Sequence, residues 1–347
     1  MTPVDPIRVG LVADPASPTE IAQGMGDLDP PHGPDRASWD VDVVSEPFTV
    51  GSEEVGTAID RLAEHASRHG WDLVVGLTEL PLRDDDGRYL LTKVDPGGRA
   101  AVLSLPALGG LRMHARTRHA LRELVGGMAD ASAAEDERVP LPRVRDRGRL
   151  LVGMVLANRP WLLVPGLKSA LVAALATGAV ATINSTVWLL AGSLSTWRLA
   201  VATVASMALV VGWLVIDGKL WDRPEDDSPD ARERSRLYNT STLATLIIGV
   251  LVCYLMLYAV NLTWALFVLD PAVMGGYLGT SVGYGDLFLL SWFVASAATV
   301  GGGLGSGLES DDAIRAATYS KREEERRARL AGDRRGRRGR RRRRDQA

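Results

Sequence analysis

An uncharged run at residues 237–269, about 33 residues long, limits the fold of this chain more than any other feature of its sequence. A helix rises about 1.5 Å per residue, so about 20 residues cross a 30 Å hydrocarbon core. In water, the same run would expose more apolar surface than a soluble monomer tolerates. The sequence therefore predicts an integral membrane protein.

Composition divides the chain into unlike parts. Residues up to about 146 are polar and rich in turns, residues 150–308 are mostly apolar, and the rest are charged. The predicted domains are an α/β domain at 1–129, a basic linker with an interfacial helix at 130–166, a transmembrane domain at 167–308, and a charged helix with a disordered arginine-rich tail at 309–347. The predicted fold class is an α/β head with a small open sheet, followed by an all-α four-helix transmembrane bundle.

Short apolar segments predict the sheet of the head. Strands are expected at 7–13, 39–44 and 71–77, and helices after the N-cap candidate Ser52 and at 111–125. The turn sequence DPGG predicts a hairpin between 89–94 and 100–105. This order of strands and helices favours an open sheet with right-handed crossovers.

The sequence of the head lacks the common motifs that would assign a reaction to it. We find no dinucleotide fingerprint, P-loop or G-x-S-x-G elbow, so no catalytic residue or cofactor is assigned. His65 and His69 are four residues apart on one predicted helix and could bind a metal. The glutamate of H-E-x-x-H is missing between them, which favours a structural role. The acidic turn at 84–86 lacks the spacing of a calcium loop.

Two segments of the head carry a resemblance. The sequences DLVVGLTELPL at 72–82 and AAVLSLPALG at 100–109 resemble the sheet that precedes the catalytic motif in archaemetzincin-type zinc proteases. The zinc motif of that family is absent here. The resemblance therefore implies at most a relative without the family's catalysis.

The chain as a whole resembles a group of uncharacterised actinobacterial membrane proteins. The resemblance rests on an α/β head, the segment N-R-P-W at 158–161, four spans, and G-S-G-L-E-S-D at 305–311. It implies the architecture and no particular activity.

The loops between the predicted spans set an orientation. Spans are expected at 167–192, 196–216, 237–269 and 287–304. The connection between the second and third spans is basic, whereas 270–286 contains no Lys or Arg. The positive-inside rule then places both termini in the cytosol of a bacterium, with the spans in its cytoplasmic membrane.

Few polar residues interrupt the spans. Asn184 and Asn261 either line a path for an ion or solute or tie helices together, and we favour the second role because no charged residue lies at mid-depth. A glycine seam at the end of the fourth span has small-xxx-small spacing, which suits helix packing or a homo-oligomer interface. Its members are Gly301, Gly303, Gly305 and Gly307.

Two arginine-rich segments flank the membrane domain. We expect them to contact the lipid bilayer through anionic headgroups, each arginine contributing on the order of 1 kcal/mol. Nucleic acid is disfavoured because no aromatic residue interleaves the arginines. The segments comprise Arg143, Arg145, Arg147, Arg149, Arg334, Arg335, Arg337, Arg338, Arg340, Arg341, Arg342, Arg343 and Arg344.

Three functions remain open from the sequence. The first is a non-enzymatic, membrane-anchored sensing or interaction module, favoured because the head lacks catalytic motifs. The second is a small oligomeric transporter or channel, motivated by the in-span asparagines and the glycine seam. SVGYGD at 281–286 is similar to a potassium-channel filter, but Ser281 stands where the filter has threonine and MGGYLGT before it is a poor pore helix. The third is a membrane-tethered enzyme whose site has no recognisable motif.

Overall fold

A computed structural model describes residues 6–30, 38–49, 55–83, 89–110, 112–130, 138–140, 145–224 and 228–305. The chain separates into two compact units between Ala157 and Asn158. The first unit is α/β and the second is helical. The predicted cap at Ser52, the acidic turn at 84–86 and the tail lie outside the described residues.

The first unit is built on a mixed sheet. Its strands are β1 (Ile7–Ala13), β2 (Trp39–Ser45), β3 (Leu73–Thr78), β4 (Leu82–Arg83), β5 (Tyr89–Val94), β6 (Ala100–Ser104) and β7 (Arg138–Pro140). The strand order is β2-β1-β3-β6-β5-β4, and β7 pairs with β5. Strands β2, β1, β3 and β6 are parallel, whereas β5 is antiparallel to β4, β6 and β7. The predicted open α/β sheet is confirmed.

Helices cover both faces of this sheet. They are α1 (Ser17–Gln23), α2 (Val55–His69) and α3 (Met113–Ala129), whereas α4 (Arg145–Ala157) packs against the 3-10 turn at Pro106–Leu108. Apolar residues of α1 and α3 share one buried cluster with the sheet, and those of α2 form a second cluster on the other face. Buried strands such as β3 therefore lack polar alternation, because both of their faces are covered.

The DPGG hairpin forms as predicted. Strands β5 and β6 pair in antiparallel register, with Val94 opposite Ala101. The Asp95 carboxylate accepts hydrogen bonds from the backbone N–H groups of Gly97, Arg99 and Ala100. Gly98 has a φ of 68°, which glycine adopts without steric cost.

The second unit is a set of apolar helices. Its helices are α5 (Leu163–Gly166), α6 (Lys168–Thr182), α7 (Ser185–Ser193), α8 (Thr196–Asp217), α9 (Pro229–Val268), α10 (Pro271–Leu278) and α11 (Tyr284–Gly305). Helix α11 packs against α6, α8 and α9. Helices α8, α9 and α11 are each long and apolar enough to cross a membrane. A fourth candidate is a bent helix pair, Gly148–Gly166 with Lys168–Thr182.

The helix bounds differ from the predicted spans at several points, and α9 begins at Pro229 instead of residue 237. The first predicted span, 167–192, is divided at Asn184, whose side chain accepts a hydrogen bond from the Thr186 N–H at 2.9 Å and caps α7. The glycine-rich connection at 270–286 contains α10, which is capped by Asp270 in the same way. In both places a short polar side chain satisfies backbone donors at a helix start.

Candidate functional site

The histidine pair on α2 is not arranged as a chelate. His65 is buried, and its Nε2 lies 3.4 Å from the Glu46 carboxylate. His69 Nδ1 lies 3.0 Å from the His65 backbone carbonyl, and its ring stacks on Trp71 with 4.5 Å between centroids. Within the described residues, no three His, Cys, Asp or Glu side chains are grouped to hold a metal. His65 therefore faces Glu46, which follows β2, and His69 packs on Trp71, which precedes β3.

A polar cluster lies at the carboxyl ends of the parallel strands. Ligands of open α/β sheets bind at this edge, where neighbouring strands lead to helices on opposite faces. Asp14 follows β1, is fully buried, and accepts hydrogen bonds from the Phe48 N–H and the Thr49 hydroxyl. Ser104 at the end of β6 donates to the Leu80 carbonyl. These polar groups tie the loops at this edge to one another.

Among the arginines predicted to contact lipid headgroups, Arg149 is the one whose side chain the structure describes. This side chain donates from Nε and Nη2 to the Leu108 carbonyl oxygen, at 3.1 and 2.9 Å. Arg116 on α3 donates from Nη1 to the same oxygen at 2.7 Å. The backbones of Arg145 and Arg147 lie in α4, whereas Arg143 and the tail arginines from Arg334 onward lie outside the described residues.

A cleft opens beside these two arginines, wholly within the first unit. Its volume is about 570 Å³. Its walls come from α3, α4, β5 and the 106–110 segment and include apolar residues, polar residues and glycines. The lining residues are Leu91, Leu108, Gly109, Gly110, Arg116, His119, Ala120, Glu123, Gly148, Arg149 and Val152.

Both in-span asparagines make local contacts. Asn184 caps α7, and Asn261 is buried on α9, where its Nδ2 donates to the Leu257 carbonyl at 2.8 Å. A Cβ on Gly178 of α6 would overlap the Asn261 side chain, so the two helices approach closely at this point. This contact favours the packing role for Asn261.

The larger polar network of the bundle was not predicted. Thr203 of α8 accepts a hydrogen bond from Trp292 Nε1 at 2.7 Å and lies 3.0 Å from the Ser296 hydroxyl on α11. Tyr254 of α9 reaches the same Ser296 hydroxyl at 3.0 Å. Hydroxyl-bearing residues in apolar runs are common, and only the folded arrangement shows that these four meet.

The close approach of α11 to α6 is made at Gly302, which is not one of the glycines of the predicted seam. A Cβ on Gly302 would sit 2.8 Å from the Ala170 carbonyl oxygen and 2.9 Å from the Ala174 Cβ. Gly301 is looser, with its nearest neighbour, Thr177, at 3.8 Å. The backbones of Gly303 and Gly305 lie in α11, and Gly307 lies outside the described residues.

The filter-like sequence does not form a filter backbone. Such a filter needs consecutive extended residues whose carbonyls face a pore. Tyr284 and Gly285 instead form the first turn of α11, and the Gly283 N–H donates to Asp286 at 2.8 Å. The resemblance of 281–286 to a filter is therefore one of sequence only.

Comparison with known proteins adds no assignment to this geometry. No protein-family model, curated protein or solved structure matches the chain. Both resemblances proposed from the sequence therefore stay expectations, and the function has to be argued from the residues themselves.

Proposed function

We propose that the chain is a multi-pass protein of the bacterial cytoplasmic membrane, and that its α/β unit is a cytosolic, non-enzymatic sensing or interaction module. The observation that carries the membrane part is the outer surface of the second unit. Only 28%, 39% and 44% of the apolar windows of α8, α9 and α11 are buried. Ile216 and Phe267 remain 77% and 85% exposed. Such a surface is stable against hydrocarbon and costly in water.

The architecture of the head supports the binding role. It has its own two buried clusters and an open parallel edge of the kind at which α/β proteins hold ligands. The polar side chains at that edge are engaged with backbone groups, as Asp14 and Ser104 illustrate. A group held this way positions loops, and loops on a rigid sheet are suited to recognising a partner.

The transporter alternative draws support from one observation, the hydroxyl network around Thr203 and Ser296. Its members hydrogen-bond to one another, and a network satisfied in this way stabilises helix contacts. We therefore rank transport second. The enzyme alternative rests on the carboxyl edge of the sheet and ranks third.

The membrane part is tested by extraction. Washing membranes with alkaline carbonate removes peripheral proteins, and we expect the full-length chain to stay in the pellet until detergent is added. Recovery of the chain in the carbonate wash would contradict the proposal.

The binding role is tested by hydrogen exchange on the same full-length chain in two settings. In inverted membrane vesicles made from the native cell, an occupied head should exchange more slowly than in protein purified in neutral detergent. Peptides from α8 serve as the internal reference. Equal exchange of the head in both settings would count against a resident partner.

A further inference from the structure

The cleft between α3 and α4 has the composition of a site for an anion. Arg116 and Arg149 reach it from different helices and converge on one backbone oxygen, that of Leu108. Within the described residues, neither guanidinium has an acidic partner. Two like charges therefore lie close together, and no described carboxylate is within salt-bridge distance of either, so a bound anion would offset their repulsion.

The number of unused hydrogen-bond donors on the two arginines also favours an anion site. Three N–H donors share the Leu108 carbonyl oxygen, which has two lone pairs. Each guanidinium carries five donors in a planar fork that matches phosphate and carboxylate oxygens. The carbonyl thus holds the two forks in place, and most of their donors remain for a ligand.

The glycines beside the arginines make this arrangement possible. Gly109 has a φ of 78°, which side-chain-bearing residues rarely adopt. A Cβ at Gly109 would lie 2.9 Å from the Arg149 Cγ and 3.1 Å from the Arg116 Nη1. Gly153 of α4 lies directly on the Pro106 carbonyl, where a Cβ would overlap it. The close contact of α4 with the Pro106–Leu108 turn therefore brings Arg149 to the carbonyl that Arg116 also reaches.

The remaining walls restrict the ligand. Leu91 and Val152 give the cleft an apolar side, and Val152 is 49% exposed although it is a large aliphatic residue. Glu123 lies seven residues beyond Arg116 on α3, about 10 Å along the helix, and pairs with His119 at 3.3 Å. A negative charge at that end disfavours a second anionic group on the ligand.

We propose that this cleft binds one phosphate group between Arg116 and Arg149, with any apolar portion of the ligand against Leu91 and Val152. The phosphate belongs either to a free anion or to a lipid headgroup. The proposal deepens the binding role proposed above by naming a ligand class. Failure of the phosphate site can be told apart from failure of the proposed function, because titration in detergent depends neither on membrane orientation nor on a cellular partner.

The test is calorimetric titration of the full-length protein in neutral maltoside micelles. One arm uses inorganic phosphate, and the other uses a short-chain phosphatidic acid below its micellar concentration. Equal affinity for both assigns the site to free phosphate, and tighter binding of the amphiphile assigns it to a lipid headgroup. Binding of neither probe would overturn the proposal.

Variants locate the binding within the protein. Arg116→Gln and Arg149→Gln are each expected to weaken binding of the tighter probe about tenfold, since each removes a charge-assisted fork. Arg149→Lys keeps the charge and should recover only part of the loss. The matched control is Arg122→Gln on α3, outside the cleft, where the side chain donates to the Asp29 carbonyl. An equal loss in the control would mean non-specific attraction and would overturn the site.

Discussion

Asp14 shows how a single buried carboxylate organises an edge of the sheet. It has no exposed surface, and it joins the end of β1 to the Phe48 N–H and the Thr49 hydroxyl after β2. A buried charge is tolerated only where hydrogen bonds replace its water. The residue therefore fixes Phe48 and Thr49 beside the end of β1.

Asp14→Ala should destabilise the head by roughly 2–4 kcal/mol, because two buried donors lose their acceptor. Pulse proteolysis across a urea series, read on the head fragment of the full-length protein, measures the change. Asp42→Ala is the control, since Asp42 is exposed on β2 and its loss should cost less than about 0.5 kcal/mol. Equal effects of the two variants would show that Asp14 is not structural.

A salt bridge between Arg118 and Asp27 lies at the surface of the head. Arg118 on α3 donates to the Asp27 carboxylate at 2.6 Å and to the Gly24 carbonyl at 2.9 Å. The hydrogen bond from Arg118 lowers the pKa of Asp27 below its ordinary value of 3.8. A lowered folded-state pKa adds stability above pH 3.8, and that stability is lost as the pH falls through the lowered value. Solvent screening keeps this contribution small.

At the scale of elements, helix contacts in the second unit depend on glycine. Gly302 of α11 lies against the Ala170 carbonyl and Ala174 of α6, whereas Gly212 of α8 has no atom within 4 Å of its Cβ position. The same glycine-to-alanine change can therefore be made at a packed and at an open position of a helix. Comparing the two distinguishes the effect of steric contact from the effect of helix propensity.

Gly302→Ala should lower the stability of the helical unit by about 1–3 kcal/mol, because the methyl group meets backbone atoms that cannot move aside. Gly212→Ala should be neutral or stabilising by up to about 1 kcal/mol, because alanine favours the helix. Thermal unfolding in micelles, followed by circular dichroism, compares them. Two equally destabilising substitutions would contradict the close contact.

The elements that could be predicted are those with a local signal. Strand β1 and the Asp95 hairpin follow from apolar runs and turn residues that act over a few positions. Helix α1 was missed because seven residues are too few to show a helical period. The break at Asn184 was missed because its role depends on one capping hydrogen bond.

The candidate cleft could not be predicted, because it is made by distant residues. Arg116 and Arg149 meet only through the Leu108 carbonyl, and the glycines that allow the approach read in sequence as ordinary turn residues. The basic run from Arg143 to Arg149 predicted contact with anionic lipid headgroups and not a cleft. That α3 supplies the second arginine, and that Leu91 and Val152 supply an apolar wall, is visible only in the folded structure.

At the scale of the whole molecule, the central claim is that the α/β unit and the α8–α9 connection lie on the cytosolic side. The claim depends on the basic residues around α9, among them Lys219 and Arg223, and on the absence of Lys and Arg from 270–286. Helix lengths allow three spans, or four with the bent pair, whose crossing part must then begin beyond Val152, since Gly148, Arg149 and Val152 line the cleft of the head. An even number is required to return both termini to one side.

Labelling of single cysteines in intact cells with a membrane-impermeant maleimide tests this most directly. In a Cys253→Ser background, Ser281→Cys should react in intact cells, whereas Asp60→Cys on α2 and Arg223→Cys should react only after permeabilisation. All three positions are exposed in the structure, so a lack of labelling reports the side of the membrane. Labelling of Asp60→Cys in intact cells, with protection of Ser281→Cys, would contradict the account.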